Sequence, residues 1–329
     1  MQRVAVIGTG TMGRVHIEAY ARIPEAELVA ICDTRLEAAE ELAKAHSAEA
    51  FADLKSLLAE VEVDVVDICT PTSTHLDYIK QASEAGKHVC CEKPLCRTTG
   101  QALEALRLCE DAGVTLFVAH VLRWFPEFKR LHDLAVDGAI GNVVAVRTSR
   151  STGYPRGTDD WFGNMKQSGG VVLDVLIHDF DWLRWCFGKV RRVYARGLYE
   201  CGLPEVDHAL VTLRFESGVI AHVEGTWMKP TGFETSVEIA GTGGLLNYSS
   251  KDAAPITIAT KAKPGEAPPV PVPESPTLVS PYYLELKHLM ECLESGAKPD
   301  VTGEDGVEAV RVAEAALRSI STGRPVSLA

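Results

Sequence analysis

No apolar stretch of this 329-residue chain reaches the about 18 residues that a membrane-spanning helix requires, and no signal peptide precedes its first apolar run. A cytoplasmic protein without a membrane partner is the expectation. Its nine cysteines form neither a CxxC pair nor any Cys/His spacing of a zinc site, so no structural metal is assigned. The neighbours Cys90 and Cys91 would point to opposite faces of a strand, which argues against a disulfide framework and for reduced, buried, small side chains. A basic surface is lacking too. Lys and Arg number 33 against 45 Asp and Glu, for a net charge of -12, and acids outnumber bases both in the first 120 residues and in the rest. That balance excludes a nucleic-acid partner. What remains is 46% hydrophobic and 24% charged, an ordinary globular composition with length for two cores.

The most informative segment is the first. The apolar run Val4-Ala5-Val6-Ile7 leads straight into Gly8-Thr9-Gly10-Thr11-Met12-Gly13, and the next apolar run ends Ile31-Cys32-Asp33. In a dinucleotide fingerprint the first glycine makes a tight turn, the second admits the pyrophosphate to the backbone, and the third lets helix and strand pack closely. The amides opening the following helix then face the phosphates. A carboxylate at Asp33 can accept hydrogen bonds from an adenosine ribose and would repel a 2'-phosphate, which favours NAD. Arg35 leaves NADP open, because a guanidinium there can pair with a 2'-phosphate.

From residue 3 to about 120, short apolar runs alternate with amphipathic stretches, the pattern of a parallel sheet covered on both faces. Strands are expected at 3–7, 27–32, near 50, 63–69, 88–91 and 115–119, with helices at 13–21, 35–46, 54–59, 75–85 and 100–112. Beyond residue 120 the character changes: a helix at 126–137, a strand at 143–149 and a single helix at 170–187 precede consecutive strands at 190–197, 207–215, 219–227 and 233–241. Tight turns such as Glu216-Ser217-Gly218 imply a mostly antiparallel sheet. Residues 251–281 are proline-rich and expected as irregular loops. Two amphipathic helices close the chain. The fold class is therefore α/β, with a dinucleotide-binding domain at 1–121 and a substrate and oligomerisation domain at 122–329.

Ligands of open parallel sheets sit beyond the carboxyl ends of the strands, and three motifs fall at such places. Thr70-Pro71-Thr72-Ser73-Thr74-His75 can line the ribose and nicotinamide of a cofactor, although His75 alone also suits a helix cap. Glu92-Lys93-Pro94 can aim an ammonium at a substrate oxygen and favour an alkoxide; its alternative is a solvated surface pair. Asp174 and His178 are four residues apart, hence on one face of a helix. The histidine has the pKa range for taking an alcohol proton and the carboxylate can orient it. Asp179 and Asp181 lie nearby, but no further ligand set of definite spacing supports a metal.

Together with His120-Val121-Leu122-Arg123-Trp124-Phe125-Pro126 and Gly169-Gly170, these motifs resemble the Gfo/Idh/MocA oxidoreductases over essentially the whole chain, with an inositol 2-dehydrogenase-like flavour. The resemblance implies a Rossmann domain followed by an α/β domain whose large open sheet builds dimers or tetramers. It also implies NAD(P)-linked redox chemistry on a sugar, inositol or related polyol. By the family pattern Lys93 stabilises the substrate oxygen, His178 is the general acid/base and Asp174 supports it. The expected cofactor contacts are Gly8, Gly10, Thr11, Met12, Gly13, Asp33, Arg35, Thr70, Pro71, Thr72, His75, Glu92 and Lys93. Lys93, Asp174 and His178 also meet the substrate, with Arg123, Trp124, Tyr154 and Trp161 as further contacts, and Asp160 and His75 beside them. A glycosidase that uses transient oxidation by bound NAD, and a non-catalytic NAD-binding regulator, are the rival readings.

Overall fold

A computed structural model describes residues 1–155, 157–198, 208–251 and 279–328. Most of the proline-rich segment lies outside the described residues. The chain divides into two units, Met1–Trp124 with Val279–Val307, and 125–278 with 308–329. Residues 279–307 thus return to the first unit, which a single cut along the sequence does not represent.

The first unit is built on β1 (Gln2–Ile7), α1 (Thr11–Tyr20), β2 (Ala26–Cys32), α2 (Leu36–His46), β3 (Glu49–Phe51), α3 (Leu54–Glu60), β4 (Val65–Ile68), α4 (His75–Glu84), β5 (His88–Glu92), α5 (Thr99–Ala112) and β6 (Leu116–Ala119). The six strands pair in parallel in the order β3-β2-β1-β4-β5-β6. Strand order reverses between β1 and β4, so the carboxyl ends of those strands flank the crevice where ligands of such sheets bind. Val4, Val6, Val65, Val66, Val89, Cys90 and Cys91 have no exposed surface. A sheet buried on both faces explains why these strands read as continuous apolar runs. Helix ends follow local chemistry: Asp53 and Thr98 accept the amides of Ser56 and Gln101, and Gly113 ends α5 in the left-handed conformation.

The second unit contains α6 (Pro126–Val136), β7 (Val143–Gly153), α7 (Met165–Ser168), α8 (Gly170–Asp174), α9 (Ile177–Phe187), β8 (Val190–Leu198), β9 (His208–Phe215), β10 (Ile220–Thr226), β11 (Met228–Gly241) and β12 (Gly244–Ser249). After α10 (Pro281–Ser295) in the first unit, α11 (Gly303–Thr322) begins there and from Glu308 belongs to the second, followed by β13 (Val326–Ser327). The described strands form a sheet ordered β12-β11-β7-β10-β9-β8-β13. It is antiparallel except where β7 and β10 run parallel. Its inner face buries Val146, Val193, Val211, Leu213, Ala221, Val223 and Ile239, and α8, α9 and the turn between them contribute Val172, Leu176, Phe180, Trp182 and Leu183 to the core. The outer face carries Leu210, 53% exposed, a Thr212–His222 hydrogen bond and the Arg147–Glu238 ion pair.

The continuous helix expected at 170–187 is interrupted. Val171 O accepts both Val175 N and Leu176 N, each at 3.0 Å, so one turn is widened by a residue before α9 starts. Gly169 and Gly170 enter this segment at φ +77° and +67°, a conformation that suits glycine. The strand expected at 143–149 runs four residues further, to Gly153. Among the described residues no helix is long and apolar enough to cross a membrane.

Candidate active site

The turn after β1 is shaped by backbone against backbone. Gly8 has φ +100°, and a Cβ there would stand 2.5 Å from Cys69 O; at Gly13 a Cβ would stand 1.9 Å from Gly8 O. A side chain at Gly8 would push the turn away from the end of β4, and one at Gly13 would push α1 away from that turn. At Gly10, by contrast, a Cβ would meet nothing within 4 Å. Gly10 is also the N-cap of α1, with no side-chain cap and no acid in the first turn. An uncapped helix start beside open space is the arrangement that accepts a pyrophosphate, and the dinucleotide fits it.

Asp33, at the end of β2, completes that end of the crevice. Its Oδ2 accepts Thr9 N at 2.8 Å and Thr9 Oγ1 at 2.6 Å, and its Oδ1 accepts Arg35 N at 2.9 Å. Burial works against the charge, but these hydrogen bonds hold the carboxyl below the ordinary aspartate range. Arg35 Nε lies 3.4 Å from Asp33 Oδ1, and its side chain is 56% exposed, so the guanidinium leans on the acid from the solvent side. Thr11 is exposed and Met12 half-buried.

After β4, Thr74 Oγ1 bonds to Thr70 Oγ1 and Pro71 O, both at 2.8 Å, and Thr72 is buried. His75 is not placed as a cofactor or substrate contact. It is 1% exposed, its Nε2 faces Thr70 O at 2.8 Å, and its Nδ1 faces Pro94 O at 3.0 Å and Leu95 O at 3.2 Å. It clips the turn after β4 to the turn after β5. Burial lowers its pKa and the carbonyls oppose that shift. The expectation at His75 is corrected for this reason: both ring nitrogens face backbone.

Glu92 ends β5 and is 6% exposed. Its Oε2 accepts the backbone amide of Lys93 at 2.9 Å, so Glu92 is not a solvated surface acid. Arg123 also departs from expectation. Its side chain is 5% exposed, with Nη2 3.3 Å from Asp305 Oδ1 and Nη1 donating to Asp300 O at 2.7 Å, so its guanidinium binds the start of α11. Trp124 packs on Phe117 and His288, at ring separations of 5.9 and 5.5 Å.

In the second unit, Asp174 closes α8 and His178 lies in the first turn of α9. The widened turn lies between them, so their spacing is not that of one regular helix. Both are half-buried. Tyr154 donates to Asp160 Oδ1 at 2.9 Å and meets Trp227 edge-on at 5.5 Å, while Trp161 stacks on Phe162 at 4.0 Å. Asp159 and Asp160 have φ of +56° and +51°, two successive left-handed residues of a kind that costs energy outside glycine.

Residues 2–120 match the family model described as "Oxidoreductase family, NAD-binding Rossmann fold", and residues 134–328 match the model of its C-terminal α/β domain. The chain belongs to the Gfo/Idh/MocA oxidoreductases. It is 30% identical to inositol 2-dehydrogenase of Rhizobium meliloti, covering 99% of each chain. It is 31% identical to myo-inositol 2-dehydrogenase of Thermotoga maritima, covering 99% of this chain and 98% of that one. The structure of GenD2 from gentamicin A biosynthesis, solved with NAD, superposes with a TM-score of 0.89 at 30% identity over 100% of this chain and 96% of that one.

Two groups escaped the sequence reading. Asp67, inside the apolar strand Val65–Ile68, and His16 on α1 are both wholly buried and 2.7 Å apart. The one available signal was an acid in the middle of a central strand. Arg150 and Asp179 form a buried pair in the second unit; there, no sequence pattern joins the two residues.

Proposed function

We propose that this Gfo/Idh/MocA oxidoreductase transfers hydride between NAD and a hydroxyl-bearing carbon of a sugar, inositol or related polyol. The observation that carries this reading is the uncapped start of α1 beside Asp33 in a chain of this family. Bound NAD supplies the hydride acceptor, held by Gly8, Gly10, Thr11, Met12 and Gly13 at the pyrophosphate and by Asp33 at the adenosine ribose. Asp33 selects NAD by repelling a 2'-phosphate, and Arg35 leaves NADP as a weaker alternative. Thr70, Pro71, Thr72 and Glu92 line the nicotinamide end.

His178 takes the hydroxyl proton on its imidazole, Asp174 orients the ring, and the Lys93 ammonium stabilises the developing alkoxide. Hydrogen leaves the carbon as hydride and the hydroxyl as a proton, so the alcohol becomes a carbonyl; reduction reverses both transfers. Tyr154, Asp160 and Trp161 offer a hydroxyl, a carboxylate and an apolar ring face to a polyol. In this reading the first unit holds the dinucleotide and the second binds substrate and builds a cytoplasmic homodimer or homotetramer through its open sheet.

The test is absorbance at the NAD(P)H band with NAD or NADP and a panel of inositols, aldoses and sugar acids, run beside Lys93→Ala. An NAD-dependent signal lost in the variant supports the reading. A full signal in Lys93→Ala overturns the catalytic assignment, and glycoside cleavage without net NADH would point to transient oxidation instead.

A further inference from the structure

Beneath the phosphate turn lies a buried group of side chains that binds no substrate in the scheme above. His16, on the inner face of α1, places Nδ1 2.7 Å from Asp67 Oδ2 and Nε2 3.2 Å from Glu92 Oε1. Its side chain and that of Asp67 are fully buried, and that of Glu92 is 8% exposed. The other oxygen of Glu92 accepts the Lys93 amide at 2.9 Å. Two hydrogen bonds, His16 to Asp67 and the Lys93 amide to Glu92, are thus joined by an ion-pair contact between Nε2 and Glu92 that is close but not aligned as a hydrogen bond.

We propose that His16, as an imidazolium between Asp67 and Glu92, is a positioning residue for Lys93. The inference rests on the catalytic role assigned to Lys93 above. Glu92 is one residue from Lys93, and a buried carboxylate seeks a cation. With its charge met by His16, Glu92 holds the Lys93 amide and leaves the Lys93 ammonium to act on a substrate oxygen. Without the imidazolium, Glu92 draws on the next available cation, the ammonium itself.

The surrounding chemistry agrees. Burial opposes charge on His16, but Asp67 overrides it and holds the imidazole pKa well above the ordinary value. The other titratable groups facing this cluster are Tyr20 on α1, Cys69 after β4, whose Sγ lies 3.3 Å from His16 Nδ1, His75 on α4, Cys90 and Cys91 on β5, and Glu285 on α10. Burial raises the pKa values of Tyr20, Cys69 and Cys90, so these three stay neutral. His16, Asp67 and Cys69 also have the ligand types of a metal site. Two donors on one tetrahedral zinc stand about 3.3 Å apart, whereas 2.7 Å between Nδ1 and Oδ2 is a charge-assisted hydrogen bond.

The experiment compares His16→Gln, Glu92→Gln, the double variant and Lys93→Ala, each by kcat and KM across pH and by NADH fluorescence titration. In His16→Gln we expect NADH affinity within about threefold of wild type, kcat lower by about tenfold, and a displaced limb of the kcat–pH profile. In the double variant, removal of the stranded charge returns kcat to within about threefold of Glu92→Gln alone. Wild-type kcat and an unshifted pH profile in His16→Gln would overturn the proposal, as would stoichiometric zinc in the purified protein that His16→Gln loses. If His16→Gln does not fold, Asp67→Asn, which withdraws the carboxylate that pairs with the imidazolium, takes its place, and wild-type kcat with an unshifted pH profile in that variant overturns the proposal. Full activity in Lys93→Ala would instead overturn the catalytic reading on which the proposal stands.

Discussion

Arg150 Nε donates to Asp179 Oδ2 at 2.7 Å, and the two side chains are 3% and 2% exposed. The guanidinium also lies 5.6 Å from the Phe128 ring centroid and 5.7 Å from that of Phe233. Asp179 follows His178, so this pair anchors the first turn of α9 to β7 beside the proposed general base. Arg150→Met leaves a buried carboxylate without its cation. We expect a loss of about 3–5 kcal/mol in urea unfolding, most of it recovered in Arg150→Met/Asp179→Leu. A loss of less than about 1 kcal/mol would show the pair to be expendable.

Gly13 and Gly10 make opposite predictions from the same turn. Gly13→Ala forces a methyl to within 1.9 Å of Gly8 O, so both melting temperature and NADH affinity should fall. Gly10→Ala meets nothing within 4 Å and should leave the melting temperature of the cofactor-free protein within about 2 °C while weakening NADH binding. Thermal melts with a fluorescence titration separate the outcomes; equal effects at both positions would contradict the packing argument.

Asp33, the acid proposed to select NAD, also orders its surroundings, since it accepts both Thr9 donors and the Arg35 amide. Asp33→Ser should narrow the preference for NAD over NADP, read as the ratio of kcat/KM, by about tenfold. An unchanged ratio would remove Asp33 from the cofactor site. The carboxyl pKa is lowered in the folded state, so its stabilisation is present above about pH 4 and is lost as the pH falls below that. Asp64, held to about 2 chiefly by its hydrogen bond to Arg3, contributes with the same sign, and Asp64→Asn should flatten the acid limb of a stability–pH curve.

His16 acts at the other end of the scale. Its pKa is raised on folding, so its contribution is full below about pH 6.5 and is lost as the pH climbs toward the folded value. Unfolding free energy should therefore decline from about pH 6.5 to 8, before the raised pKa values of the buried thiols add a further decline above about pH 8.5. In His16→Gln the lower part of that slope should vanish. An equal slope in variant and wild type would show that His16 is neutral in the fold.

Legibility varied with the range of the interaction. The six parallel strands and their helices were readable because a strand buried on both faces is apolar at nearly every position, as in Val65-Val66, and the glycine turn because its three glycines fall within six residues, although Gly8 is confined by Cys69 far along the chain. The outer edges of the second sheet were not, since β12 and β13 are short and half-exposed. The break after Asp174 escaped notice because Val175 and Leu176 are acceptable helix residues. Arg123 and His75 looked like ligand contacts for want of visible partners; these partners are Asp300, 177 positions away, and Pro94, 19 positions away.

Local chemistry along the chain determined the fold class and the dinucleotide turn, and it singled out the side chains proposed as reactive. Apolar periodicity and glycine placement are properties of neighbouring residues. Tertiary structure alone decided which polar groups lost their water and to whom they turned: His16 to Asp67 and Glu92, Arg150 to Asp179, Arg123 to Asp305. Burial makes an unpartnered charge costly, so each such group must be met by another. The residue that meets it is set by the packing of distant elements rather than by spacing along the chain.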